Sequence, residues 1–170
     1  MTTILAVQNK NGFVIAADSQ VTENERPFFH KAMPKIMQVG DYVIAGAGVS
    51  RFCDVILYTW EPPVYDGSGT YRFMVSQFIP AMRKAHEDAG CVLKDDESFK
   101  FIVGMENELF YIAEDYSVLR SDSGFYTAGT GGSYGMGALA AGSTIEDAMK
   151  IAIRFDINSG GKVQIIRRGV

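Results

Sequence analysis

Between residues 2 and 18 the chain is apolar almost throughout, interrupted by one polar patch around Lys10-Asn11-Gly12. That pattern predicts two strands, 2–9 and 13–18, joined by a tight hairpin turn, since Asn-Gly accepts the positive φ values of such a turn. The second strand is apolar at nearly every position, which predicts burial on both faces. A loop is expected over 23–34, then a second hairpin of strands 35–39 and 42–46 around Gly40-Asp41. Phe52, Val55, Ile56 and Trp60 recur at helical spacing, and Glu61-Pro62-Pro63 ends that helix. Thr70 is the expected N-cap of a second helix with Phe73, Met74, Phe78, Met82 and Ala85 on one face. Pro80 inside this pattern predicts a kink or break, and Gly90 a stop. Strands are expected at 99–104, 109–113 and 116–120. The Gly-rich segment 128–133 then leads into a small-residue helix ending near Gly142. Ser143-Thr144-Ile145-Glu146 reads as a capping box for a helix with Ile145, Ala148, Met149 and Ala152 inward, and 163–167 as a closing strand. Helix pairs alternating with antiparallel hairpins imply an α+β protein whose sheets are covered by helices on their outer faces. No repeat or linker divides residues 1–170, so one domain is expected.

Composition narrows the function. At 170 residues one core can bury roughly 70% of the unfolded surface. The net charge of −4 and the lack of a basic run beyond Lys162 and Arg167-Arg168 exclude nucleic acid as an expected partner. No apolar stretch approaches the roughly 20 residues of a membrane span. No signal-peptide pattern opens the chain, and Cys53 and Cys91 form no CxxC, which predicts reduced, buried thiols in a cytoplasmic protein. Two histidines, His30 and His86, are too few for a His-rich metal site, and no cofactor or metal is expected. His86, in the charged run 83–88, is expected to be solvated.

The candidate chemistry lies at Met1-Thr2-Thr3. Removal of Met1 would leave Thr2 as the first residue, with a hydroxyl nucleophile and its own α-amine base on one side chain and backbone. Met-Thr alone is common, and weight comes from the rest of the chain. Thr2-Thr3-Ile4-Leu5-Ala6-Val7 followed by residues 12–19 resembles the start of a mature proteasome β-type subunit. Lys35-Ile36-Met37-Gln38-Val39 is similar to that family's lysine-bearing strand. Ile44-Ala45-Gly46-Ala47-Gly48 is similar to its Ala-Gly oxyanion segment, Ala128-Gly129-Thr130-Gly131-Gly132 to its Gly-Ser-Gly turn, and residues 156–161 to its late Asp-x-x-Ser-Gly-Gly motif. The length and the Met-Thr-Thr start also resemble the bacterial HslV peptidase.

The resemblance implies the N-terminal nucleophile (Ntn) hydrolase fold, a four-layer αββα sandwich, with a mature chain starting at Thr2. It implies Thr2 as nucleophile, Lys35 lowering the pKa of the α-amine, Asp18 holding Lys35, and the Gly46 N–H facing the oxyanion, where glycine would let substrate approach the main chain. It implies Asp156 and Ser159 around the Thr2 amine. Thr130 replaces the family's usual serine, which adds a methyl on the proton route. Extended peptides would bind between the segments around Thr22 and Ala47, and Ile44 would make the first specificity pocket apolar. Unfolded polypeptides or peptides as substrates, homo-oligomeric rings enclosing the sites and an ATPase unfoldase as partner are further implications.

Other readings are weaker. Gly131-Gly132-Ser133-Tyr134-Gly135 matches G-x-S-x-G, but both histidines precede Ser133. Gly46-Ala47-Gly48 resembles a dinucleotide fingerprint, but Arg51 occupies the third glycine position. Within the Ntn class, the alternatives are an amidase acting on a small amide and an inactive ring subunit. The intact set Thr2, Asp18 and Lys35 argues against the latter.

Overall fold

A computed structural model describes residues 2–23, 26–29 and 34–170. Its strands are β1 (Ile4–Asn9), β2 (Gly12–Ala17), β3 (Gln20–Glu23), β4 (Arg26–Phe29), β5 (Ile36–Val39), β6 (Tyr42–Gly48), β7 (Phe99–Met105), β8 (Glu108–Ile112), β9 (Val118–Leu119), β10 (Phe125–Ala128) and β11 (Gln164–Arg168). Helix α1 runs through Ser50–Asp54 and a π-helical turn, Val55–Thr59. Helix α2 comprises Thr70–Phe73, a π-helical turn Met74–Phe78, and Ile79–Asp88. Helices α3 (Gly132–Ala140) and α4 (Ile145–Phe155) follow.

The strands form a four-stranded antiparallel sheet ordered β10-β1-β2-β11, a five-stranded one ordered β5-β6-β7-β8-β9, and the ribbon β3-β4. Because successive side chains alternate across a strand, β1 sends Ile4 and Ala6 between the two sheets, with Phe13, Ile15, Val43, Ala45 and Ile102. Leu5 points the other way, onto Ala138, Leu139, Ala148 and Met149 of α3 and α4. A Cβ at Gly135 would overlap the Leu5 side chain, so the small residues of α3 let that helix lie close on β1. On the far side α1 and α2 cover the five-stranded sheet through Phe52, Ile56, Phe73, Met74, Phe78 and Met82. This is the expected αββα sandwich.

Local departures have local causes. The β1–β2 register pairs Asn9 with Gly12, so the turn residues are Lys10 and Asn11, one position earlier than expected. The Asn9 side chain sets this by accepting the N–H groups of Asn11 (2.8 Å) and Gly12 (3.2 Å). Part of the expected loop 23–34 is strand β4. The rest of that stretch, His30 included, lies outside the described residues, apart from Glu23 at the end of β3 and Pro34. Strand β10 had no counterpart in the hydrophobic pattern; its four residues are bounded by Gly124 and Gly129. The expected strand 116–120 shrinks to two residues because Tyr116 takes φ 66° in a turn closed by its N–H to Ala113 O (2.9 Å). Gly69, not Thr70, holds the N-cap position of α2, and the cap of α4 is Thr144, whose hydroxyl accepts the Asp147 N–H (3.2 Å).

Pro80 neither breaks nor ends α2. The π-helical turn at Met74–Phe78 widens the helix just before the ring. A proline lacks the N–H for that turn and crowds the carbonyl four residues back, and the widened turn relieves both. Cys53 is buried as expected and Cys91 half-buried, and both are free thiols.

His86 corrects the sequence expectation of a solvated residue. It is 1% exposed, sits among Phe52, Phe99, Phe101 and Tyr116, and bridges the Tyr116 hydroxyl (2.9 Å) and the Phe52 carbonyl (3.1 Å). The charged residues of that run occupy the outer face, where Arg83–Glu87 and Lys84–Asp88 pair one turn apart. Burial holds the His86 imidazole below its ordinary value of 6.5. The unfolded chain therefore takes up a proton at higher pH than the folded chain does. The contribution of neutral His86 is complete above the unfolded value and is lost as pH falls through 6.5 toward the folded value. His86→Leu leaves two buried polar partners unmatched and is expected to lower stability at neutral pH by about 2 kcal/mol in urea unfolding. The loss of stability between about pH 7 and about pH 5 should be shallower in the variant than in the parent.

Candidate active site

The end of β2 delivers Asp18 to the edge of the inter-sheet core, and the residue before β5 delivers Lys35 to the same point. Lys35 Nζ lies 2.8 Å from Asp18 Oδ1, with side-chain exposures of 9% and 0%. Lys35 also donates to the Gln20 carbonyl. Asp18 accepts from the Thr3 N–H (2.8 Å) on Oδ1, and from the N–H groups of Gln20 (3.1 Å) and Gly160 (3.0 Å) on Oδ2. One carboxylate thus ties together the start of β1, the start of β3, the approach to β5 and the loop after α4. Burial pulls the Lys35 ammonium below its ordinary value, and Asp18 opposes that shift by charge and hydrogen bond.

A second polar group lies behind Thr3. Ser159 Oγ is 2.6 Å from Thr3 Oγ1 and donates to Asp156 Oδ2 at 2.5 Å. The Thr130 hydroxyl donates to the same Asp156 oxygen at 2.7 Å. Burial pushes the Asp156 carboxyl up, but donors from Ser159, Thr130 and Asn158 outweigh it and hold the group below the usual carboxylate range. Ser159, expected beside the Thr2 amine, makes its contact through Thr3. The turn residues approach closely: a Cβ at Gly129 would overlap the Thr2 carbonyl, and one at Gly131 the Thr3 hydroxyl.

Thr2 is 6% exposed and lines a cleft with Val21, Pro34, Lys35, Gly46 and Ala47. The facing wall is α1, through Ser50, Cys53, Asp54, Leu57 and Tyr58. A second recess of about 300 Å³ shares Thr2, Ala47 and Gly48 and adds Ser98, Lys100, Gly129 and Thr130. Thr2 therefore stands between two adjoining cavities.

Two expected roles look different in three dimensions. The Gly46 N–H donates to the Lys35 carbonyl (3.0 Å), closing the β5–β6 ladder. A Cβ at Gly46 would lie 2.9 Å from both Cys53 Sγ and the Phe101 ring, so core packing against α1 and β7 requires glycine there. Ile44 is fully buried in the core under α1 and α2 and is absent from the cleft wall. Thr22 sits on β3 opposite Pro27, and its neighbour Val21 reaches the cleft. Thr3, Gln20, Gly160 and the α1 wall were not singled out in the sequence. The Thr3 hydroxyl had a signal, its place in the Thr-Thr pair. The Gln20 and Gly160 contacts are main-chain contacts without one.

Residues 1–49 match the family described as Proteasome subunit. Among solved structures, the chain is similar to Thiobacillus denitrificans BPH in complex with epoxomicin, with 23% identity, a TM-score of 0.78, and coverage of 99% of this chain and 98% of that one. It is similar to eukaryotic HslV from Trypanosoma brucei at 22% identity and a TM-score of 0.66, covering 98% of each chain. It is also similar to the Anbu complex from Pseudomonas aeruginosa, described as a helical assembly, at 16% identity and a TM-score of 0.73, over 99% of this chain and 81% of that one. The fold is thus shared with these solved structures over nearly the whole chain, and the family match covers the segment that carries Thr2, Asp18, Lys35 and Gly46.

Proposed function

We propose that this chain is a threonine-type endopeptidase that uses Thr2 as nucleophile once Thr2 is the first residue. The observation that carries the proposal is the placement of Thr2 in one cleft with Lys35, whose ammonium is pinned by a buried carboxylate. The Thr2 hydroxyl oxygen adds to the peptide carbonyl, and its proton passes to the Thr2 α-amine. That amine has a reference pKa near 8, and the neighbouring Lys35 charge pushes it toward the neutral, proton-accepting form. The proton then goes to the leaving amine as the C–N bond breaks, leaving an ester on Thr2. Water hydrolyses the ester by the same route in reverse order. The Gly46 N–H is shared in a three-centre bond between the Lys35 carbonyl and the developing oxyanion. The hydroxyl–carboxylate group of Thr130, Asp156 and Ser159 orients this end of β1 through Thr3.

Cavities on both sides of Thr2 suit a substrate that continues past the scissile bond in both directions. That favours an extended peptide over a small amide. Ladder alternation turns the Gly46 and Gly48 N–H groups toward the β5 side, and β5 ends opposite Ala45. The edge beyond it, together with the β3 segment around Thr22, is where a substrate strand would add. We further infer a homo-oligomeric ring in the cytoplasm, enclosing the sites and served by an ATPase unfoldase. Enclosure is what keeps so unselective a main-chain reader from attacking folded neighbours.

Purified wild-type protein is expected to begin at Thr2 by N-terminal sequencing and to gain one equivalent of a peptide epoxyketone by intact mass. Thr2→Ala should take up none and lose activity by about 1,000-fold or more. Retained labelling of Thr2→Ala would sink the mechanism. Native mass spectrometry should show a ring-sized homo-oligomer. Asp18→Ala is expected to destabilise the chain by about 3–5 kcal/mol in denaturant titration, because it strands the Lys35 charge in a dry site.

A further inference from the structure

The second recess beside Thr2 holds a charge that the proposed reaction leaves unused. Its volume is about 300 Å³, and among the described residues lining it only Lys100 carries a charged side chain. Lys100 is the second residue of β7 and stands directly opposite Ala47 of β6. Its chain neighbours Phe99 and Phe101 are buried beneath α1 and α2, whereas Ile102, two residues on, lies between the sheets. Alternation therefore puts Lys100 on the inter-sheet face, where the sandwich opens beside Thr2. The methylene stem continues the apolar layer and the ammonium reaches the opening. Its ion-pair partner is Glu114 at 3.9 Å, with side-chain exposures of 38% and 51%. A pair so long and so wet contributes little, and Lys100 can exchange it for a closer anion. Ser98 and Thr130 add hydroxyl groups to the lining. The carboxylate behind Thr130, Asp156, is buried and turned to the Thr130 and Ser159 hydroxyls and the Asn158 N–H.

The reaction assigns each half of a substrate to one cavity. Alternation continued back from Ile4 turns the Thr2 side chain to the inter-sheet face, where Lys35 lines the first cleft. The Thr2 main chain lies against the turn Gly129-Thr130, which walls the second recess. The α-amine belongs to that main chain, and it returns the proton to the leaving nitrogen. The acyl half of the substrate then follows the first cleft, and the leaving half runs over the second recess. We propose that Lys100 makes this recess a site for a carboxylate on the leaving half, within the first two residues after the scissile bond. Two extended residues span about 7 Å, comparable with the width of a recess of this volume. The carboxylate belongs either to an aspartate or glutamate side chain or to the terminus of a chain that ends there. A cation in a partly desolvated recess attracts either one and repels a lysine. This inference rests on the peptidase reading and adds the substrate class.

The test compares kcat/KM for fluorogenic peptides that share one acyl half and differ only in the leaving half, with the cleaved bond checked by mass spectrometry. One leaving half is neutral and ends in an amide. A second carries glutamate and ends in an amide, a third is neutral and ends two residues after the bond in a free carboxylate, and a fourth carries lysine. Each is measured on the full chain with Thr2 confirmed as first residue. The leaving half departs in the acylation step, so its selection is read in kcat/KM. Wild type is expected to favour the second peptide, the third, or both over the neutral amide by about 10-fold or more, and the lysine peptide least. A preference for the second alone identifies an acidic side chain as the source, and for the third alone a chain terminus. Lys100→Met should bring the carboxylate-to-neutral ratio to about 1, Lys100→Arg should keep it within about 3-fold of wild type, and Lys100→Glu should favour lysine. Ratios taken within one variant are insensitive to a change in the folded fraction. If Lys100 only caps the sheet beside Glu114, Lys100→Met changes all four rates alike. That result, or a wild type without preference for either carboxylate, would overturn the role of Lys100 while leaving the peptidase intact. If wild type takes up no epoxyketone and cleaves none of the four peptides, the peptidase reading itself falls, and the specificity with it.

Discussion

The buried pair of Asp18 and Lys35 is the constraint on which the rest of the site depends. Two opposite charges inside a protein are costly unless their remaining hydrogen-bonding capacity is filled. Here Asp18 is filled by Lys35 and three main-chain N–H groups, and Lys35 also donates to a main-chain carbonyl. Those partners come from four separated stretches of chain. The pair can be satisfied only when β1, β2, β3 and the loop after α4 are all in register. A polar requirement thereby becomes a positional one: Thr3 is anchored at its N–H and at its hydroxyl, and Thr2 is held one residue short of that anchor, in the cleft.

Close approach of backbones completes the arrangement. The turn Gly129-Thr130-Gly131 lies against the Thr2-Thr3 main chain so tightly that a methyl group at either glycine would overlap it. Between the glycines, Thr130 turns its hydroxyl to Asp156. The methyl that threonine adds relative to serine does not prevent that bond. On the opposite side, Gly46 lets β6 lie against Cys53 and Phe101. Glycine there serves the core behind the strand, a cause different from the substrate approach expected for it.

Much of the fold was legible because burial imposes period on sequence. The paired apolar strands at the start, the two helix pairs and most of the five-stranded sheet followed from alternation and from the 3.6-residue repeat. What failed had little apolar period to read. Strand β10 is four residues long, and the β3–β4 ribbon is short and carries polar and proline positions. His86 was misjudged because its neighbours in sequence are charged, whereas its neighbours in space are aromatic. In the site, side chains with a family motif were placed together: Asp18 with Lys35, and Asp156 with Ser159 and Thr130. The α1 wall was hidden because its cleft-facing residues also satisfy the pattern of a core helix. Ile44 was misplaced for a related reason, since alternation along β6 sends it beneath α1 and α2.

Strand β1 is an interior strand, hydrogen-bonded to β2 on one edge and to β10 on the other. The first pairing is available as soon as the opening hairpin leaves the ribosome. The second waits for a segment more than a hundred residues later in synthesis, and the Thr3–Ser159 link spans 156 positions. Contacts of such long range form late, because loop closure must precede them. The segment that carries Thr2 is therefore among the last to be locked in place, and a partly made polypeptide has Thr2 without the surroundings that hold it in the cleft.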